Sequence, residues 1–126
     1  MAFKIRKASV CDTQAVYSLI CDLENETLPF GWFSEIYLRN LENTSIFYFV
    51  CIQVNVVIAF ASLHIQPLLH HCSNIAEIQE IVVKPEHQRH GIGHKLLMFW
   101  KRRHGIPVVP CWKYAATEKK PVAPPL

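Results

Sequence analysis

Apolar and polar positions alternate first at Phe3, Lys4, Ile5 and Arg6, which predicts a half-buried opening strand. Asp12 then stands where a helix N-cap is expected, ahead of Ala15, Val16, Leu19, Ile20 and Leu23, whose spacing draws one helical stripe. Residues 25–31, which include Pro29, read as a loop. Ile36, Tyr37, Leu38 and Leu41 predict a second helix over Phe33 to Leu41, broken by Asn43-Thr44-Ser45. Two β-rich runs follow, Ile46 to Val54 and Val56 to Ile65, meeting at Asn55, a residue that tolerates the positive φ of a hairpin turn. Residues 67–74 read as a loop carrying His70 and His71. A further strand is expected over Ile75 to Val83, stopped by Lys84-Pro85, and a helix from Gly91 to about Arg103 with Leu96, Leu97 and Trp100 on one face.

Beyond His104 neither period survives, and five of the eight prolines lie in residues 107–126. Two regions are therefore expected: residues 1–104 as the folded domain, and residues 105–126 as a Pro-rich, basic, irregular tail. A chain of 126 residues, 51% hydrophobic and 18% charged, has room for one core. Its longest apolar run, Ile46 to Ile52, is far short of the ~20 residues that span a bilayer. The start lacks the apolar stretch of a signal peptide. Five scattered cysteines without a CxxC pair suggest reduced, mostly buried thiols and a cytoplasmic location. The net charge of +3 divides unevenly. Residues 1–100 carry seven Lys/Arg against nine Asp/Glu, and residues 101–126 carry six against Glu118 alone. The folded part is slightly acidic, so neither a nucleic-acid partner nor a membrane is expected.

Chemistry concentrates in one stretch, a strand (76–83), a short turn and a helix start punctuated by Gly91 and Gly93. Such a turn aims backbone N–H groups and the positive end of a helix dipole at one point, and glycine lets an anion approach closely. A phosphate or pyrophosphate is the natural guest. Gly93-His94-Lys95-Leu96 lacks the Ser/Thr of a Walker loop, and Leu96 stands where a Rossmann turn needs its third glycine.

Gln88, Gly91 and Gly93, after a strand ending Val83-Lys84-Pro85, resemble the acetyl-CoA loop of the GCN5-related N-acetyltransferases (GNAT), and the order of elements resembles that superfamily too. Residues 12–23, Leu63-His64-Ile65-Gln66, Leu69-His70-His71 and Glu77-Ile78-Gln79-Glu80 are similar to aminoalkylphosphonate N-acetyltransferases, over roughly residues 3–98. The resemblance implies an α+β fold, an α/β/α sandwich with a mixed, mostly antiparallel sheet flanked by helices. It implies transfer of an acetyl group from acetyl-CoA to the primary amine of a small molecule, an aminoalkylphosphonate, by direct attack. The main chain of Ile81, Val82 and Val83 would then pair with the pantetheine arm. Gln88, Arg89, His90, Gly91, Ile92, Gly93 and His94 would hold the pyrophosphate.

An alkylammonium with a pKa near 10 leaves only ~0.1% free amine at pH 7, so a base helps. Glu77 matches the superfamily's catalytic glutamate by its distance from the loop. Glu80 is a second candidate, placed by simple alternation on the opposite strand face. A divalent metal is allowed for, with His64, His70 and His71 as conceivable ligands of a metal or a phosphonate; His87, His90 and His94 crowd the anion loop.

The superfamily's later strands, and the helix bearing a tyrosine acid for the CoA thiolate, have no counterpart after about Phe99. Tyr114 lacks the expected context and takes no role. A truncated or out-of-frame coding end would produce this change. The sheet is then expected to lack its C-terminal strands and to expose an apolar edge that a second copy could cover in a homodimer. The alternative to an enzyme is a remnant that binds acetyl-CoA without turning over.

Overall fold

The computed structural model describes residues 2–110. Tyr114 and the rest of residues 111–126 lie outside them. The elements are β1 (Lys4–Lys7), α1 (Thr13–Glu24), α2 (Phe30–Leu41), β2 (Ile46–Gln53), β3 (Val56–Leu68), β4 (Ser73–Val83), α3 (Ile92–His104) and β5 (Val108–Pro110). They form one mixed sheet in the order β1-β2-β3-β4-β5, antiparallel except for the β4–β5 pair.

Strand alternation decides what each face carries. On one face Phe49, Cys51, Ala61 and Leu63 pack beneath Ile92, Leu96 and Trp100 of α3. On the other, Tyr48, Val50 and Phe60 meet Val16, Leu19 and Ile20 of α1 and Tyr37 of α2. This is the α/β/α sandwich that the sequence led us to expect. The β2–β3 turn has positive φ at two residues, Val54 (49°) and Asn55 (62°), as a two-residue hairpin of the right twist needs.

Some boundaries move. Helix α2 begins at Phe30, in what reads as a loop, because the Pro29 carbonyl accepts the first helical bond from the Phe33 N–H at 3.0 Å. Strand β3 runs on through Pro67 to Leu68, and His70 and His71 sit in the short 3-10 turn Leu69–His71. The expectation that the sheet ends at the strand closing on Val83 is corrected. Val108–Pro110 adds a parallel fifth strand opposite Ala76, Glu77 and Ile78. The Ala76 N–H donates to the Pro107 carbonyl at 2.8 Å, and the Trp100 indole N–H donates to the Ile106 carbonyl at 3.1 Å. These bonds bring the chain after α3 back to the sheet. The thiols are free, but of the four described only Cys51 is buried; Cys11 and Cys72 are exposed. Among the described residues no helix is long and apolar enough to cross a membrane.

Candidate active site

Strand β4 departs from strict alternation at one place. Ile78 faces Leu63 and Glu80 faces Ser62, so Gln79 is an extra residue, a β-bulge. The bulge resets the alternation. Glu77 stands opposite His64 and Glu80 opposite Ser62, and β3 keeps Phe60, Ser62 and His64 on the α1–α2 side. Both carboxylates therefore share one face, which corrects the placement of Glu80 on the face opposite Glu77. The interrupted ladder is mended by a side chain: the Glu80 N–H donates to Ser62 Oγ at 3.1 Å, and the Ser62 hydroxyl donates to the Glu80 carboxylate.

The two acids differ in surroundings. Glu77 Oε1 accepts bonds from the side-chain amides of Gln66 (2.9 Å) and Gln79 (2.6 Å). Glu80 lines a cavity of about 430 Å³ between α1, α2 and the sheet. Gln79 and His64 share that lining, so Glu77 reaches it only through the Gln79 amide. Phe33, Tyr37, Tyr48 and Phe60 supply aromatic walls. Phe33 stacks with Tyr37 at 6.0 Å between ring centres, and Tyr37 with Tyr48 at 5.3 Å. Burial raises the Tyr48 hydroxyl above its ordinary pKa; the Asn40 amide that donates to it at 2.7 Å opposes this, and the Glu80 charge adds to the rise. Burial likewise raises Tyr37, so both phenols are neutral at pH 7.

A second cavity, of about 670 Å³, opens at the C-terminal end of β4, past the last β5 pair at Ile78, where β4, among the described residues, is paired with β3 alone. Ile81, Val82 and Val83 form one side, and Gln88, Arg89, Gly91, Ile92 and Gly93 form its end. Arg89 (φ 69°) and Gly91 (φ 75°) turn the chain into α3. A Cβ at Gly91 would meet nothing within 4 Å, and one at Gly93 would lie in ordinary contact, 3.4 Å from Ile81 Cδ1; only the φ of Gly91 calls for glycine. The Gln88 side chain braces the turn by donating to the Val83 carbonyl at 3.0 Å. The first bond of the helix runs from the Lys95 N–H to the Gly91 carbonyl at 3.0 Å. The N–H groups of Ile92, Gly93 and His94 thus belong to the unpaired first turn at the positive end of α3. A pyrophosphate fits such a cradle. Eight of the ten residues expected around the cosubstrate line this groove; the side chains of His90 and His94 are exposed and lie outside the lining.

Helix α1 divides the cavities. Leu19, Asp22 and Leu23 face the groove, while Val16, Ile20 and Glu24 face the aromatic cavity. These residues, with Phe33, Asn40 and Tyr48, were not singled out in the sequence for a site, because the apolar ones read as plain core and Asp22, Glu24 and Asn40 as polar positions of the helices. No set of three or more His, Cys, Asp and Glu among the described residues is arranged to hold a metal ion. His70 and His71 lie 4.4 Å apart between ring centres, on an exposed turn outside both cavities. The donor set among the described residues does not fit a divalent metal.

An anion cradle at the head of α3 joined by one strand to an acid-bearing cavity defines an acyl-CoA acyltransferase frame. Residues 13–106 match the family model for acetyltransferases of the GNAT family, and the chain belongs to that family. It is 37% identical over 94 residues to the aminoalkylphosphonate N-acetyltransferase of Salmonella typhimurium, an alignment that covers 75% of this chain and 61% of the relative. The match thus spans about three-fifths of that protein's length. Among solved structures, a GNAT family acetyltransferase of Staphylococcus aureus superposes with a TM-score of 0.74 at 16% identity, covering 87% of this chain and 85% of that one. An aminoglycoside antibiotic 6'-N-acetyltransferase of Acinetobacter baumannii gives 0.73 at 17%, covering 86% and 78%. At these identities the likeness is one of fold.

Proposed function

We propose that this chain transfers an acetyl group from acetyl-CoA to the primary amine of a small molecule. The observation that carries the reading is the continuity of β4. Gln79 and Glu80 line one cavity, and the next three residues line the other. An acyl thioester whose pyrophosphate rests on residues 88–93 has its arm directed along Ile81–Val83 toward Glu80. There the carboxylate takes the ammonium proton, freeing the nitrogen lone pair. The nitrogen attacks the thioester carbonyl; a C–N bond forms, the C–S bond breaks, and CoA leaves as the thiolate, which takes up the proton the nitrogen sheds as it becomes an amide. Glu80 is the base this geometry favours, and Glu77 positions Gln79. The Salmonella relative's name makes aminoalkylphosphonates one acceptor class to assay.

Titration calorimetry with acetyl-CoA, beside a turnover screen of small amines, tests the reading. Gly91→Glu sets a carboxylate at the cradle on a residue with φ of 75°, and should weaken acetyl-CoA binding at least about thirtyfold without loss of the folded baseline. Unchanged affinity would sink the cradle. Binding without turnover of any amine would leave a CoA-binding protein that is no enzyme.

A further inference from the structure

From the walls of the aromatic cavity we infer the acceptor's chemistry: a primary monoamine borne on an apolar or aromatic body with no acidic group, not an aminoalkylphosphonate. The inference rests on the proposed function, in which this cavity receives the amine. Its charged members are two carboxylates, Glu24 from α1 and Glu80 from β4, and no lysine or arginine is among the described lining residues. His64 is the one imidazole among the described lining residues. The remaining described walls are aliphatic and aromatic, apart from the amides of Asn40, which donates to the Tyr48 hydroxyl, and Gln79, which donates to Glu77.

An ammonium group suits these walls at one point and its carbon body at others. Glu80 offers the ammonium a charge-assisted bond, and Phe33, Tyr37, Tyr48 and Phe60 line the cavity with ring surface for an apolar or aromatic body. An apolar body gains by leaving water for Val16, Ile20 and Ile36. A phosphonate meets the opposite conditions. Its oxygens, carrying one to two negative charges, would be desolvated beside the Glu80 carboxylate, with no arginine fork or lysine among the described lining residues to receive them. A volume of about 430 Å³ lies within the range of about 300–1,000 Å³ usual for small-molecule pockets.

The test measures binding directly, so that it does not depend on turnover. Phenethylamine and 2-aminoethylphosphonate have comparable two-carbon spacers and differ in the group at the far end. Each is titrated calorimetrically into the full chain with CoA present, at pH 7. We expect phenethylamine to bind at least about tenfold more tightly. Glu80→Gln should weaken phenethylamine about tenfold. Should that variant fail to fold, Phe33→Ala removes one ring from the partly buried wall and is expected to weaken phenethylamine severalfold while leaving the phosphonate unchanged. Equal or tighter binding of 2-aminoethylphosphonate overturns the inference, as does phenethylamine that fails to bind folded protein or ignores whichever variant folds. Acetyl transfer to the phosphonate in preference would keep the proposed function and remove this inference; absence of transfer to any amine, with the binding order as expected, would remove the proposed function and leave the cavity as an amine-binding site with no acceptor role.

Discussion

Asp12 precedes α1 in the N-cap position, yet its carboxylate turns back from the helix. It accepts two bonds from the Arg6 guanidinium, at 2.7 and 2.9 Å, and one from the Ser9 N–H at 2.8 Å. The bond from Arg6 holds its pKa below the usual carboxylate range, against the effect of burial. A folded-state pKa below the unfolded value of about 3.9 means the stabilisation is complete above that pH and is lost as pH falls through the folded value. Asp12→Asn should cost about 1–2 kcal/mol in urea unfolding at pH 6, since Arg6 is partly in water, and the deficit should shrink as the buffer approaches pH 3. Equal losses at both pH values would contradict this. The sequence marked Asp12 as a cap because Asp before an apolar period usually is one; that Arg6 would claim the carboxylate depends on β1 lying beside it. The same limit applies to the acids of β4. Glu77 and Glu80 were legible as acids near the loop, but their shared face depends on pairing with another strand.

At the level of elements, the bulge in β4 is the feature that builds the aromatic cavity's acidic wall. It leaves the Glu80 N–H bonded to a side chain, and Ser62, wholly buried, provides the acceptor. Ser62→Ala removes that acceptor and the hydroxyl's bond to the Glu80 carboxylate, so a loss of about 1–3 kcal/mol is expected in thermal or urea unfolding. Acetyl transfer should fall as well, because the carboxylate loses the group that orients it. A variant as stable and as active as the parent would show that the bulge is held by something else. The hairpin at Asn55 and the amphipathic stripes of α1 and α3 were visible because one short period dictates each. The start of α2 was hidden, since Pro29 and Gly31 look like loop residues until the Pro29 carbonyl is seen closing the first turn. The bulge leaves no local signature at Gln79, and β5 is only three residues of a segment whose prolines mask it.

In the whole molecule, two layers of side chains hold α3 on one face of the sheet and α1 with α2 on the other. Trp100 is fully buried in the first layer, against Phe47 at 4.9 Å between rings and beneath the stacked His104 at 4.1 Å. Its indole also fixes the chain that leads into β5. Trp100→Ala should therefore cost about 3–5 kcal/mol, a large part of the ~5–15 kcal/mol that a domain has, with a matching fall in the melting temperature read by circular dichroism. A change of a degree or two would place the core elsewhere. The elements were readable from periodicity and the layered architecture from the family resemblance of the loop, because both signals lie in residues close in sequence. The two cavities were not, because their walls come from helices and strands that meet only after folding.

Helix α1 is a party wall. Leu19 and Leu23 lean one way while Val16 and Ile20 lean the other, one helical register apart on a single rigid rod. Any guest that nudges the rod from one chamber alters the room left in its neighbour, and thermodynamic reciprocity then obliges each guest to change the other's welcome by the same factor. Under the proposed function, a partition only one helix thick is the place where the binding of donor and of acceptor would be coupled before any bond between them exists.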